Sequence, residues 1–209
     1  MVNPWTGITI EDYERHMSDP GVYQLQTLSE IFKAKLHKYK PSSVAILGVC
    51  SGNGLEHVDR RITPEVYGID INASFLKLCE ERYKKALPGL HLCQLDLQVD
   101  EIPIPEVHMV ACHLIFEYVS AGIVIDKISQ KVTAGGVASV VIQNNNGLSS
   151  ISKTGIDSLN RLVPLFHEVS IEDLIFEFGQ VGFQKTEQEE IDLPNGKSFT
   201  IADFKSSAY

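Results

Sequence analysis

Short apolar runs alternate with amphipathic stretches along most of this chain. The runs Ser43 to Leu47, Val66 to Ile69, Leu90 to Leu95, Val107 to Cys112 and Val137 to Gln143 have the length and continuity of buried strands. Between them the apolar period changes to that of a helix. Val22, Leu25, Leu28, Ile31, Phe32 and Leu36 form one such face. Asp19-Pro20 reads as its start, with Asp19 as N-cap and Pro20 in the first turn, and Lys40-Pro41 as its end. A shorter helix is expected ahead of it, from Thr9 to Met17. Further helices are expected over Leu55 to Arg60, over Ala73 to Leu87 and over Phe116 to Val132. Asn72 caps the second of these, whose apolar face is Phe75, Leu76, Cys79 and Tyr83; Pro88-Gly89 ends it, and Gly135-Gly136 closes the third. Ser170 caps a last helix, Ile171 to Gly179, with Asp173 in the capping-box position. Two strand-like runs, Phe183 to Ile191 and Lys197 to Phe204, then flank Pro194-Asn195-Gly196, a strong hairpin signal. Strand–helix alternation implies an α/β fold with a mostly parallel sheet, right-handed crossovers and an antiparallel end.

Composition narrows the class. The chain has 209 residues, 44% hydrophobic and 22% charged, which suits one α/β domain with a full core. There is no repeat, low-complexity segment or flexible linker, so the expected organisation is a helical cap over residues 1–40 and one domain over 41–209. The net charge of -9 argues against a nucleic-acid partner, because a phosphate backbone would be repelled. Cys50, Cys79, Cys93 and Cys112 form no C-x-x-C pair and sit in or beside apolar elements, as reduced buried thiols do. No metal site is expected. No secretory signal and no membrane-spanning run is visible, so a cytoplasmic protein without a membrane partner is expected.

The chemistry-bearing stretch runs from Val44 to Asp70. An apolar strand stops at Gly48, Gly52 and Gly54, and the next strand stops at Asp70, about 20 residues after the turn. Glycines let backbone pass close under a nucleotide, and a carboxylate at the second strand tip can accept from two ribose hydroxyls. The turn reads G-x-x-x-G-x-G, not the G-x-G-x-x-G of dinucleotide folds. A second acid, Asp96, follows strand three. A protein binding NAD(P) or another adenine nucleotide is the alternative reading at this point.

Taken together, residues 40–205 resemble a class I S-adenosylmethionine (SAM) dependent methyltransferase. The resemblance implies a single Rossmann-like, doubly wound sheet of seven strands, closed by a C-terminal antiparallel hairpin and covered by an N-terminal helical lid. It implies SAM as cofactor and S-adenosylhomocysteine (SAH) as product. By position, the glycine turn Gly48, Cys50, Gly52, Asn53 and Gly54 matches the family's cofactor loop. Asp70, with Ile71 beside it, matches the ribose-binding acid, and Asp96 with Leu97 the adenine contacts. His113 and Leu114, at the exit of strand four, match the wall beside the methionine part of SAM. Two positions depart from the pattern: Ile46 stands where the family carries an acid, and Cys50 where it carries the middle glycine. Glu56 or a backbone carbonyl is the expected substitute for that acid.

The acceptor side is expected from three places. Tyr13, His16, Met17, Tyr23 and Gln24 lie in the N-terminal helices, Glu117 follows strand four, and Asn144 opens a long polar segment that runs to Ser170 and includes His167. That segment lacks the N-P-P-Y signature of nucleic-acid amino methylation. His113, His16 and Tyr118 are the candidate proton-transfer groups. Aromatic and His groups with few cations suit a small, neutral or weakly charged acceptor. The expected assembly is a monomer or homodimer. A SAM-binding protein without transferase activity is a further alternative.

Overall fold

The computed structural model describes residues 3–207. Seven strands make one sheet: β1 (Ser43–Leu47), β2 (Glu65–Asp70), β3 (Leu90–Gln94), β4 (Val107–His113), β5 (Val132–Asn144), β6 (Phe183–Asp192) and β7 (Ser198–Ser206). Their order across the sheet is β3-β2-β1-β4-β5-β7-β6. β7 runs antiparallel to both neighbours, and the remaining pairs are parallel. Five α-helices cover the sheet: α1 (Ile10–Ser18), α2 (Gln24–Tyr39), α3 (Ala73–Tyr83), α4 (Ala121–Ser129) and α5 (Ile171–Gln180). The order reverses direction between β1 and β4, and that crevice at the carboxyl edge is where open α/β sheets bind ligands.

Alternation along β1 sorts its side chains between two cores. Ala45 and Leu47 face Val124, Ile125, Leu174 and Phe178 of α4 and α5. Val44 faces Phe32 and Leu36 of α2 and Leu76 and Cys79 of α3. Ile46 packs on this second side, between Gly68 and Ala111 in the ladders. The helix starts follow the expected capping chemistry. Asn72 Oδ1 accepts from Ser74 N at 3.0 Å and Phe75 N at 3.3 Å, and Ser170 Oγ accepts from Glu172 N and Asp173 N. The hairpin turn closes through Leu193 N to Lys197 O, 2.8 Å, with Asn195 Oδ1 accepting from Lys197 N.

Several local expectations are corrected. Asp19-Pro20 does not start α2. The Pro20-Gly21 pair makes a turn in which Asp19 O accepts from Val22 N and Tyr23 N, both 2.8 Å, and Asp19 Oδ1 accepts from Gly21 N. The helix begins after Tyr23, which sits in the left-handed region at φ 55°. The segment Leu55 to Arg60 forms only a 3-10 turn, Leu55–His57, because Gly54 enters at φ 91° and Val58 is extended. Asp59 then closes a separate turn on Arg61 N. α3 stops at Tyr83, with Lys84 to Leu87 in a turn. Of Phe116 to Val132, only α4 is helical; Phe116 and Glu117 belong to the β4–α4 loop. Gly135-Gly136 lies inside β5 instead of ending a helix. The pair forms a bulge: Val107 is opposite Val132, but Met109 is already opposite Val137. Gly135 has φ 74°, and a Cβ on Gly136 would lie 2.7 Å from Val132 Cγ1.

A polar seam runs beneath α2. The buried Asp203 of β7 accepts from Lys35 Nζ at 2.8 Å and Tyr39 OH at 2.6 Å. Ser139 of β5 is its cross-strand partner. This pairing pins α2 to the far half of the sheet, so the helix spans the crevice side of the molecule.

Candidate active site

The turn between β1 and β2 is built by four consecutive alternate residues in the left-handed region: Gly48 (φ 73°), Cys50 (49°), Gly52 (92°) and Gly54 (91°). Only glycine adopts this without strain, so Cys50 holds the middle-glycine conformation at some cost. A Cβ on Gly52 would lie 2.7 Å from the Tyr83 ring and 2.9 Å from Cys79 Sγ, so the second glycine is needed for packing on α3. Asp70, at the tip of β2, locks the turn: its Oδ2 accepts from Cys50 N and its Oδ1 from Asn72 N, both 2.8 Å. Asp70 is buried, and that burial raises its pKa despite the backbone donors. Asp96 opens the next turn, accepting from Gln98 N at 2.9 Å.

Residues 3–23 fold over this edge. A 3-10 turn, Pro4–Gly7, leads into α1, and Trp5 O and Ile8 O both accept from Asn72 Nδ2. Glu14 bridges Arg82 of α3 and Ser51 of the glycine turn, and Arg82 holds its carboxyl below the usual range. Asp12 accepts from Ser158 Oγ, and His16 Nδ1 lies 2.7 Å from Thr154 Oγ1. Ile8, Phe75, Ile156, Leu159 and Leu162 form the apolar layer under these contacts. The 144–170 segment is thus partly ordered against the N-terminus, with a 3-10 turn at Asp157–Leu162.

A cavity of about 140 Å³ at this edge is lined from the cofactor side by Gly48, Cys50, Asp70, Ile71, Asp96 and Leu97, with His113 and Leu114 at the β4 exit. Leu114 sits at φ 55°, a strained conformation for a branched side chain. Tyr13, His16, Met17, Gln24, Glu117 and Tyr118 line it from the other side. Other candidates point elsewhere. Gly52, Asn53 and Gly54 shape the turn without lining the cavity; Gly54 packs under Phe32, and Asn53 Nδ2 donates to Leu25 O. Tyr23 is 47% exposed on the outer side of α2. Asn144 Nδ2 donates to Thr200 Oγ1 and Ser198 Oγ of the hairpin. His167 contributes its backbone N to Glu117 O. Glu56 does not line the cavity; it accepts from Ser29 Oγ, Gly54 N and Tyr83 OH.

Sequence reasoning missed Trp5, Gln143 and Phe166. Trp5 meets Tyr118 edge to face at 5.0 Å and Tyr13 at 6.1 Å, and Tyr118 meets Phe166 at 5.8 Å. Gln143, at the tip of β5, accepts from Gln24 Nε2 and donates to Asn145 Oδ1 and Ser150 O. Its strand-tip position was a usable signal; Trp5 and Phe166 carried none.

His113 lines the cavity at the β4 exit and packs under α2. The imidazole packs edge-on against Phe32 of α2, 3.5 Å from Ser139 Oγ. Burial, aided by Lys35, lowers its pKa to about 4. It is therefore neutral at pH 7 and a weak base. The unfolded chain takes up this proton near pH 6.5. Stability from burying neutral His113 is present above pH 6.5 and is lost as pH falls toward about 4. His113→Gln should flatten the urea-midpoint profile between those values. It should lower turnover less than about tenfold, with no change in the pH–rate profile above pH 6. A hundredfold loss with a shifted profile would return His113 to the chemistry.

The glycine cradle, the buried Asp70, Asp96 at the next strand tip and the apolar Ile71, Leu95 and Leu97 present acceptors and flat contacts suited to ribose hydroxyls and an adenine amine. A methyltransferase-domain family model matches residues 46–140. This central part of the chain is therefore similar to a methyltransferase domain. Solved methyltransferases share the fold. The N-methyltransferase NodS from Bradyrhizobium japonicum WM9, in complex with SAH, superposes with TM-score 0.66 at 12% identity, covering 91% of this chain and 90% of that one. Magnesium protoporphyrin IX methyltransferase from Synechocystis PCC 6803, with bound SAH, gives 0.67 at 14%, covering 94% of each. Geranyl diphosphate methyltransferase gives 0.66 at 12%, covering 86% of this chain and 78% of that one. No curated protein sequence matches the chain. Among the described residues, no helix is long and apolar enough to cross a membrane.

Proposed function

We propose that this chain is a SAM-dependent methyltransferase that acts on a small molecule held under residues 3–23. One observation carries the reading. The cavity that reaches the glycine turn is roofed by Trp5, Tyr13 and His16, and that roof is tied to Asn72 and Arg82 at the two ends of α3 and to Thr154 of the 144–170 segment. A polymer would need an open, basic track across this edge. Here no lysine or arginine among the described residues lines the cavity, and the chain carries -9.

SAM supplies a methyl group already activated on a sulfonium. What this chain adds is placement: Asp70 and the glycine turn fix one end of the crevice, and the roof excludes water and orients the acceptor. His16 and Tyr118 stand at the acceptor side, where burial lowers the His16 pKa and raises that of Tyr118. Incubation with SAM labelled at the methyl, beside a low-molecular-weight extract fraction and beside nucleic-acid and protein fractions, tests the reading. Label should pass to small molecules. Label passing to nucleic acid or protein alone would overturn it.

A further inference from the structure

Glu117 is a cavity carboxylate that the cofactor reading does not use and that no ion pair among the described residues engages. It sits in the β4–α4 loop and is 1% exposed. Its Oε1 accepts from Gln143 N at 2.7 Å, while Oε2 is buried with no partner among the described residues. A buried carboxylate oxygen left unpaired is costly, so a ligand that pairs it gains correspondingly. The same cavity is walled by Trp5, Tyr13, Tyr118 and Phe166. Trp5 and Tyr118 meet at 84°, Tyr118 and Phe166 at 81°, and Trp5 and Tyr13 at 68°. Four aromatic rings around one cavity offer π-surface that attracts an ammonium group.

The geometry points to a small amine as the methyl acceptor, with its nitrogen bonded to Glu117 Oε2 inside this aromatic box. The inference rests on the small-molecule reading above and narrows it. An amine arrives as its ammonium and passes one N–H proton to Glu117, which frees the nitrogen lone pair. That pair forms the new C–N bond as the bond from methyl to sulfur breaks. Sulfur keeps the bonding electrons and departs in SAH as a neutral thioether. The product leaves as the protonated methylamine, and the proton on Glu117 returns to water. Burial raises the Glu117 pKa to about 7, so the group can both accept and release a proton near neutrality.

Trp5 is the sole tryptophan and lies in the box wall, so its fluorescence reports occupancy. The full chain, saturated with SAH at pH 8, is titrated with benzylamine and with benzyl alcohol, probes of the same shape. Benzylamine should bind about tenfold tighter or better. Glu117→Gln should erase that preference. The amide oxygen can still accept from Gln143 N, and unchanged SAH affinity by calorimetry certifies that the variant is folded. Equal binding of both probes by the native protein would overturn the amine assignment while leaving a small-molecule pocket in place. A preference that survives in Glu117→Gln would remove Glu117 from recognition. If neither probe perturbs Trp5 although SAH binds, the small-molecule reading fails and this inference with it.

Discussion

Removing residues 1–18 should lower methyl transfer by about 10³-fold or more while leaving a measurable fraction of SAM affinity. The loss follows from what those residues do in the structure. They supply Trp5, Tyr13, His16 and Met17 to the acceptor side of the cavity and cover it through the Asn72, Arg82, Ser51 and Ser158 contacts. Without them the acceptor meets water instead of a fixed wall, and the alignment that supplies much of the rate is gone. The retained affinity follows from sequence position. Gly48, Asp70 and Asp96 all lie beyond residue 40, on strand tips that the sheet holds. Deletion also uncovers Phe75, Leu159 and Leu162, so a far-ultraviolet spectrum and a melting curve should accompany the assay. Full transfer by a folded truncated chain would remove the lid from the mechanism and move the acceptor site to the 144–170 segment.

Asp70→Ala should weaken SAM binding by about 10²-fold or more in calorimetry. Two charge-assisted hydrogen bonds to ribose hydroxyls are worth about 1.5–3 kcal/mol each, and about 3 kcal/mol is a hundredfold. The substitution has a second effect, because Asp70 also accepts from Cys50 N and Asn72 N. Its removal loosens a turn in which Cys50 is held at φ 49°. Asp70→Asn keeps an accepting oxygen and should be milder. Burial raises the Asp70 pKa, so the native protein should lose SAM affinity on acidification at a higher pH than an ordinary aspartate would dictate. That acid limb should vanish in Asp70→Asn. Normal SAM binding by Asp70→Ala would mean that the tip of β2 does not hold the ribose.

The two variants test parts of the molecule that were legible to very different degrees. The glycine turn and Asp70 could be read because they are adjacent elements of one β-turn-β unit. Their spacing is set by backbone geometry, and each residue type has a local reason. The apolar runs likewise placed the central strands β1, β2, β4 and β5, since burial on both faces leaves a continuous apolar signature, while the exposed β6 was legible through the Asn-Gly turn. Local signals misled where a residue pair serves two purposes. Gly135-Gly136 ends a helix or makes a bulge with equal sequence plausibility, and only the register shift against β4 decides between them. Asp19-Pro20 fits a helix start, yet Gly21 and the left-handed Tyr23 divert the chain into a turn first.

By itself, then, the sequence determined the strands, the cofactor turn and the antiparallel end, because each depends on neighbours within a few residues. The wall of the cavity was decided by tertiary structure. Trp5, Tyr118 and Phe166 come from three distant segments, and their common space exists only after the N-terminus packs on the 144–170 segment. Tyr23 and Asn144 looked as suitable as Tyr13 and Glu117, but helix phase and strand parity send the first pair to the outer surface and the hairpin. The same parity turns His113 under α2, while the loop that follows buries Glu117 against Gln143 N. Side-chain direction at a strand exit depends on where the covering helices lie, and that is a property of the folded sheet, not of the local sequence.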